Sequence, residues 1–196
     1  HFWGFQDDWC AVGLVLAAAK AMLDIGFEPE NDIVFCLHGA EEWGSSYTQF
    51  DWTVGAWEMI NTLHPEWVGK TLAFLNFELP AYEFATYTTT YSAPEMFSLL
   101  RDFTTRYPYA PKPQGCFPDG VLTEGYQTYT YSDDFSYYAA GVPSTVNGFL
   151  LQKDMEHVHP FYIDYYHTQY DTPDTYNDAV MAFNLRYYGA LAIYID

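Results

Sequence analysis

The chain has 196 residues, enough for one domain with a sizeable core, and its 49% hydrophobic content without low-complexity tracts excludes intrinsic disorder. Lys and Arg total 7 against 26 Asp and Glu, a formal charge of −19, which argues against nucleic-acid and anionic-membrane partners because both demand a positive surface. The same excess suits a protein that attracts cations, whether metal ions or amine-bearing substrates, and equally one that uses charge only for solubility.

In chain order, the first element is a helix over residues 8–25, with Val12, Val15, Leu16, Ala19, Met22 and Leu23 on one broad face. Asp7 and Asp8 stand at its start, where carboxylates cap free N–H groups. Gly26 ends it, and the run Ile33-Val34-Phe35-Cys36-Leu37 then reads as a buried strand. It leads into His38-Gly39-Ala40-Glu41-Glu42-Trp43-Gly44. Two adjacent carboxylates are costly to bury beside each other. They form either a solvated acidic turn or a site in which Glu42 binds a cation and Glu41 moves protons. Adjacent residues of a regular strand face opposite ways, so the pair is expected in the turn beyond the strand.

A second helix is predicted over 52–63, then a turn through His64-Pro65 to Gly69, then a buried strand over 71–77 ending at Glu78. Residues 84–90 read as an edge strand, 94–107 as a helix, and 108–131, rich in Pro and Tyr, as a long surface excursion. A short helix over 132–140, a strand after Pro143 and a final helix from about Thr175 to Tyr194 complete the pattern. Strands alternating with helices predict an α/β fold with a mostly parallel sheet, and in such sheets ligands bind beyond the carboxyl ends of the strands.

Cys10, Cys36 and Cys116 suggest no disulfide framework, although one pair remains open. No apolar run is long enough to span a membrane, and no signal-peptide pattern is visible. The abrupt start at His1-Phe2-Trp3-Gly4 leads us to expect a processed product or a piece of a longer protein. No internal repeat or linker divides the chain, so residues 1–196 are expected to form one domain.

Gly4-Phe5-Gln6-Asp7-Asp8, Ala40-Glu41-Glu42-Trp43-Gly44, Leu75-Asn76-Phe77-Glu78, Ser132-Asp133-Asp134-Phe135 followed by Gly141-Val142-Pro143, and Tyr166-His167-Thr168-Gln169-Tyr170-Asp171-Thr172 occur in this order. Together they resemble the zinc aminopeptidase and glutamate carboxypeptidase family, whose relatives include glutaminyl cyclases and transferrin receptors. The resemblance covers nearly the whole chain. It implies a three-layer α/β/α zinc-exopeptidase-like catalytic domain. Asp7 matches the carboxylate that bridges two zinc ions, Glu42 and His167 match ligands of one zinc, and Glu78 stands where the family usually has an Asp ligand of the second. Glu41 matches the general base, Tyr166 is the candidate substrate contact, and Asp8 and Asp171 are candidate partners of the ligands. Zinc takes carboxylate and imidazole ligands and activates a water, whose proton Glu41 would accept and pass to the leaving amine.

Two departures limit that picture. The family's other second-zinc ligand is a His in a His-x-Asp motif upstream of the bridging Asp, and only six residues precede Asp7 here. His1 lies too close to Asp7 to match it, so the N-terminal part of the domain is expected to be missing and one zinc to be held better than two. Glu78 is one methylene longer than the usual Asp. Among rival readings, His157-Val158-His159 is an alternative metal pair on one face of a strand, and it has no matching ligand motif. His167 with Tyr165, Tyr166 and Tyr170 also fits a packed aromatic cluster.

The resemblance implies a zinc exopeptidase acting on peptides. An aminopeptidase is favoured because gripping a substrate carboxylate usually needs Arg or Lys, which are scarce here. A single-zinc glutaminyl cyclase is the alternative enzyme. A metal-free receptor domain of the same fold is the alternative outside enzymes, and retention of Glu41, Glu42 and His167 counts against it.

Overall fold

The structure is a computed structural model, and it describes residues 4–44, 52–83, 85, 87–106, 120–125, 132–147 and 164–196. A tight turn at Phe5–Trp9 enters helix α1 (Cys10–Asp24). Helix α2 (Val54–Glu58) continues into a widened turn, Met59–Leu63, so the predicted helix over 52–63 is one irregular element. Strand β1 (Phe74–Phe77) is followed by β2 (Tyr87–Ser92), helix α3 (Phe97–Arg106), β3 (Gly120–Gly125), α4 (Asp133–Ala139), β4 (Ser144–Asn147) and α5 (Asp178–Ile195). Asn177 caps α5, its side-chain oxygen accepting from the Ala179 and Val180 amides. No helix among the described residues is long and apolar enough to cross a membrane.

The sheet runs in the order β1-β4-β2-β3. β1 with β4 and β2 with β3 are parallel, whereas β2 with β4 is antiparallel. The expectation of a mostly parallel sheet with helices on both sides therefore holds for two of the three pairings. The period of two along β1 divides its side chains between two cores. Phe74 joins Ala56, Ile60, Tyr137 and Val142 under α2 and α4. Leu75 and Phe77 join Leu100, Phe103, Val180, Tyr187 and Leu191 under α3 and α5. The Tyr188 hydroxyl pins α5 to the sheet through Thr88 at 3.0 Å and Thr90 at 3.3 Å.

Three expectations are corrected. Ile33–Leu37 forms no strand. Its backbone pairs with nothing among the described residues, and Val34 and Leu37 are more than half exposed. A strand exists only through its neighbours, and here an open groove of about 980 Å³ separates this segment from β1 and α1. The strand expected at an edge over 84–90 is interior: β2 (Tyr87–Ser92) lies between β4 and β3. The predicted excursion over 108–131 contains a sheet strand, β3, which pairs with β2 along six residues.

One close approach positions the loop before α2. A Cβ at Gly55 would lie 1.7 Å from the Gly39 carbonyl oxygen, so only glycine lets α2 sit against the turn that carries Glu41 and Glu42.

Candidate metal centre

Three local structures deliver the site. In the first, Gly4 has φ 56°, and a Cβ there would meet the Asp7 carbonyl oxygen at 2.8 Å. Glycine thus lets the chain double back before the cis-linked pair Asp7-Asp8. Neither carboxylate caps α1, whose N-terminus has no side-chain cap, so the plain capping reading does not hold. Asp8 Oδ1 instead accepts the Leu79 amide at 3.2 Å, tying this turn to the end of β1.

The second is the turn at Glu41 and Glu42, placed as expected before Gly44 although no strand precedes it. The Glu41 carbonyl accepts the Thr53 amide at 2.6 Å, and the Trp43 carbonyl accepts the Val54 amide at 3.0 Å. The Trp52 indole donates to Glu42 Oε2 at 2.8 Å, leaving Oε1 to face His167.

The third is the turn around His167, held by Asp171. That buried carboxylate accepts the Gln6 amide at 2.8 Å and the Asp7 amide at 3.1 Å, so it fixes the backbone beneath Asp7. Tyr166 stacks on the His167 ring at 3.8 Å and 19°.

His167 Nε2 lies 3.0 Å from Asp7 Oδ2 and 2.8 Å from Glu42 Oε1. Among the described residues these three are the group whose ligand atoms all lie within 4.8 Å of one another. They line a cavity of about 280 Å³ together with Gly4 and Asp171. Two carboxylates and one imidazole nitrogen, from three separate turns, form a donor set that suits zinc. Glu78 is brought near and not into this trio. It is buried at the end of β1, where its carboxylate accepts a hydrogen bond from the Ser132 hydroxyl, which in turn accepts one from Asn76. His1 and the His157-Val158-His159 pair lie outside the described residues.

Ala40, Thr53, Leu79 and His167 have φ of 57°, 66°, 52° and 56°, a region costing non-glycine residues on the order of 1–3 kcal/mol each. Ala40 precedes Glu41, Thr53 donates its amide to the Glu41 carbonyl, Leu79 follows Glu78 and His167 belongs to the trio, so the unfavourable backbone among the described residues lies around the converging acids.

Electrostatics agree with a cation site. Burial, then the Glu42 charge, raises the Asp7 carboxyl to about 6. Burial and the Glu78 charge raise Glu41 to about 9, and burial, opposed by the Ser132 hydrogen bond, raises Glu78 to about 8. Asp8 is raised as well, by burial and then by Glu78. Burial is the largest influence on the His38 imidazolium and depresses it, but the hydrogen bonds to Asp133 and Cys36 and the charges of both together outweigh it and raise His38 to about 9. These groups bind protons more tightly folded than unfolded. Their stabilisation is therefore complete below the unfolded values and is lost as pH climbs through the folded ones. Metal-free protein should thus melt at a temperature falling by roughly 5 °C or more between pH 5 and pH 9. Saturating zinc should flatten or reverse that trend, because Asp7 must lose its proton to act as a ligand. Thermal unfolding across this range, with and without zinc, is the measurement.

Sequence reasoning did not single out His38, Ser132 or Asn76 as parts of this network. His38 lies in the acidic stretch and Asn76 and Ser132 in the quoted motifs, but nothing local shows that they reach one another. Asp171 stands in the sequence only as a candidate ligand partner, and its grip on the Asp7 backbone comes from across the chain.

A protein-family model described as Peptidase family M28 matches residues 2–188. The fold is similar to that of the zinc aminopeptidase BSAP of Bacillus subtilis, at 17% identity and TM-score 0.70, over 98% of this chain and 41% of that one. It is similar to a Peptidase M28 precursor of Shewanella amazonensis, at 24% identity and TM-score 0.68, over 99% of this chain and 38% of that one. It is also similar to the glutaminyl cyclase of Porphyromonas gingivalis, at 18% identity and TM-score 0.57, over 94% of this chain and 62% of that one. The chain thus spans about two fifths of the length of the two peptidases. No curated protein matches it.

Proposed function

The chain belongs to peptidase family M28, and from that premise we propose that it is the catalytic part of a zinc-dependent exopeptidase, an aminopeptidase by preference. The observation that carries this reading is the convergence of Asp7, Glu42 and His167 on one small cavity, with Glu41 adjacent to Glu42. Asp7, Glu42 and His167 would hold the ion, and Glu78 stands where the family usually has an Asp ligand of a second. Bound zinc supplies Lewis acidity, lowering the pKa of water and polarising the scissile carbonyl.

The remaining work falls to the protein. Glu41 accepts a proton from the attacking water, whose oxygen forms the new bond to the carbonyl carbon. As the C–N bond breaks, Glu41 returns that proton to the departing amine, so one peptide and one water become an acid and an amine. The burial that raises Glu41 in the bare site makes it a good proton donor in this second half. For the first half it must be ionised, a state that a cation held beside it would favour. Tyr166, stacked on His167, is the candidate contact to substrate.

Preference for a free amino terminus rests on charge. No Arg or Lys lines the small cavity among the described residues, whereas carboxylates do, and these attract an ammonium group and repel a carboxylate. Zinc-loaded protein should release amino acids from unblocked peptides and spare the same peptides acetylated at the amino terminus; the reverse preference would overturn the aminopeptidase assignment. A cyclase reading is favoured by one feature, the single-ion trio of Asp, Glu and His, together with the fold likeness to a glutaminyl cyclase. Cyclisation of amino-terminal Gln without peptide-bond cleavage would establish it instead. Absence of both reactions, with no bound zinc, would leave a binding domain.

A further inference from the structure

We propose that His38 is a positioning residue whose imidazole, bridging Asp133 and Tyr137, clamps the turn carrying Glu41 and Glu42 onto the first turn of α4. The proposal rests on the functional reading above only for what the clamped turn is used for. His38 Nδ1 lies 2.9 Å from Asp133 Oδ2 and Nε2 lies 3.1 Å from the Tyr137 hydroxyl. Both ionic side chains are nearly sealed from solvent, at 5% and 10% exposure. A pair this deep costs desolvation, and losing one partner strands the other.

The need for such a clamp follows from the backbone. Segments that enter a catalytic turn are usually held by a sheet ladder, and Ile33–Leu37 has none among the described residues. On its far side the turn is held by the Thr53 and Val54 amides. On its near side His38 is the anchor, four residues before Glu42.

What it is anchored to gives the clamp its consequence. Ser132, at the N-cap of α4, hydrogen-bonds Glu78, and the next residue, Asp133, holds His38. The start of α4 is therefore common ground for the turn of Glu41 and Glu42 and for the end of β1. Asp133 Oδ1 is already buried without a hydrogen-bond partner. Without His38 the second oxygen loses its partner too, in a region where Asp133 already acts on Glu41 and Glu78 by like charge. The turn or the aspartate must then move towards water.

Packing alone is the competing role. The Phe74 and Tyr137 rings stack at 3.8 Å, and His38 leans on both at 5.6–5.8 Å. A phenyl ring satisfies packing and makes no hydrogen bond, so three substitutions separate the roles. His38→Phe keeps the ring, His38→Asn places an amide near the Nδ1 position facing Asp133, and His38→Gln places one near the Nε2 position facing Tyr137. Amide hydrogen exchange over residues 39–44, with α5 as internal reference, and zinc affinity by equilibrium titration are the readouts.

The clamp predicts that His38→Phe speeds exchange in the turn by about tenfold or more, with α5 unchanged, and weakens zinc about 10–100-fold. His38→Asn should recover most of both losses and His38→Gln less. Wild-type exchange in the turn of His38→Phe, whatever its melting temperature, would overturn the proposal. If His38→Phe does not fold, the other two decide it, since equal exchange in Asn and Gln variants contradicts the clamp. The exchange comparison needs neither substrate nor zinc. An inactive wild-type protein would thus count against the peptidase reading while the clamp is still judged.

Discussion

Glu41→Gln should lower kcat/KM for peptide hydrolysis by about 10²–10⁴-fold while leaving bound zinc at the wild-type level. The amide keeps the size and hydrogen bonding of the side chain and removes its capacity to accept a proton. Glu41 lies outside the converging trio, so the proposed metal ligands are untouched. Its carboxyl is raised to about 9 by burial and by the charges of Glu78 and Asp133, so neutralising it also relieves repulsion. The metal-free variant should accordingly be as stable as the wild type or slightly more stable at pH 8. An inactive, zinc-loaded and stable variant identifies a base. Loss of zinc in the same variant would make Glu41 a ligand, and unchanged turnover would remove it from the chemistry. Rates on an unblocked dipeptide, with zinc content measured on the same samples, separate these outcomes.

His167→Ala should have the second large effect, on metal before rate. His167 offers the one nitrogen of the proposed donor set and sits within 3.0 Å of both carboxylates. Zinc affinity should fall by at least about 100-fold, with hydrolysis lost in step at limiting zinc. Excess metal should restore part of the rate, which Glu41→Gln cannot show. Because His167 is held at φ 56°, replacing it by Gly relieves backbone strain that Ala retains. His167→Gly should therefore bind zinc as poorly as His167→Ala while being the more stable of the two. Equilibrium dialysis for zinc and thermal unfolding for stability check both statements.

Local pattern carried the helices and the chemistry of the site unevenly. The span of α1, the strand ending at Glu78 and the final helix are written in short-range pattern, and each formed within a few residues of its expected span, but the face expected for α1 is not the one it buries: Leu16 and Leu23 are exposed, and Cys10, Ala11, Leu14 and Met22 are buried. The ordered motifs around Asp7, Glu42 and His167 named a trio that only the folded chain brings together. What local pattern could not supply was partnership. Ile33–Leu37 has the composition of a buried strand, but a strand needs a neighbour to pair with, and none among the described residues pairs with it. The stretch 84–90 alternates only weakly, and within it Thr88 and Thr90 are polar because they meet the Tyr188 hydroxyl, so an interior strand resembles an edge. The Asn76–Ser132–Glu78 chain and the His38–Asp133–Tyr137 bridge each join residues more than fifty positions apart. No spacing rule reports contacts of that kind.

The account stands on the ligand set, and X-ray absorption at the zinc edge of protein loaded with one equivalent reads it directly. A first shell of nitrogen and oxygen at about 2.0–2.2 Å with imidazole scattering, and loss of that scattering in His167→Ala, is the predicted result. A sulfur shell near 2.3 Å, as a thiolate would give, or an imidazole signal that survives His167→Ala, would contradict it.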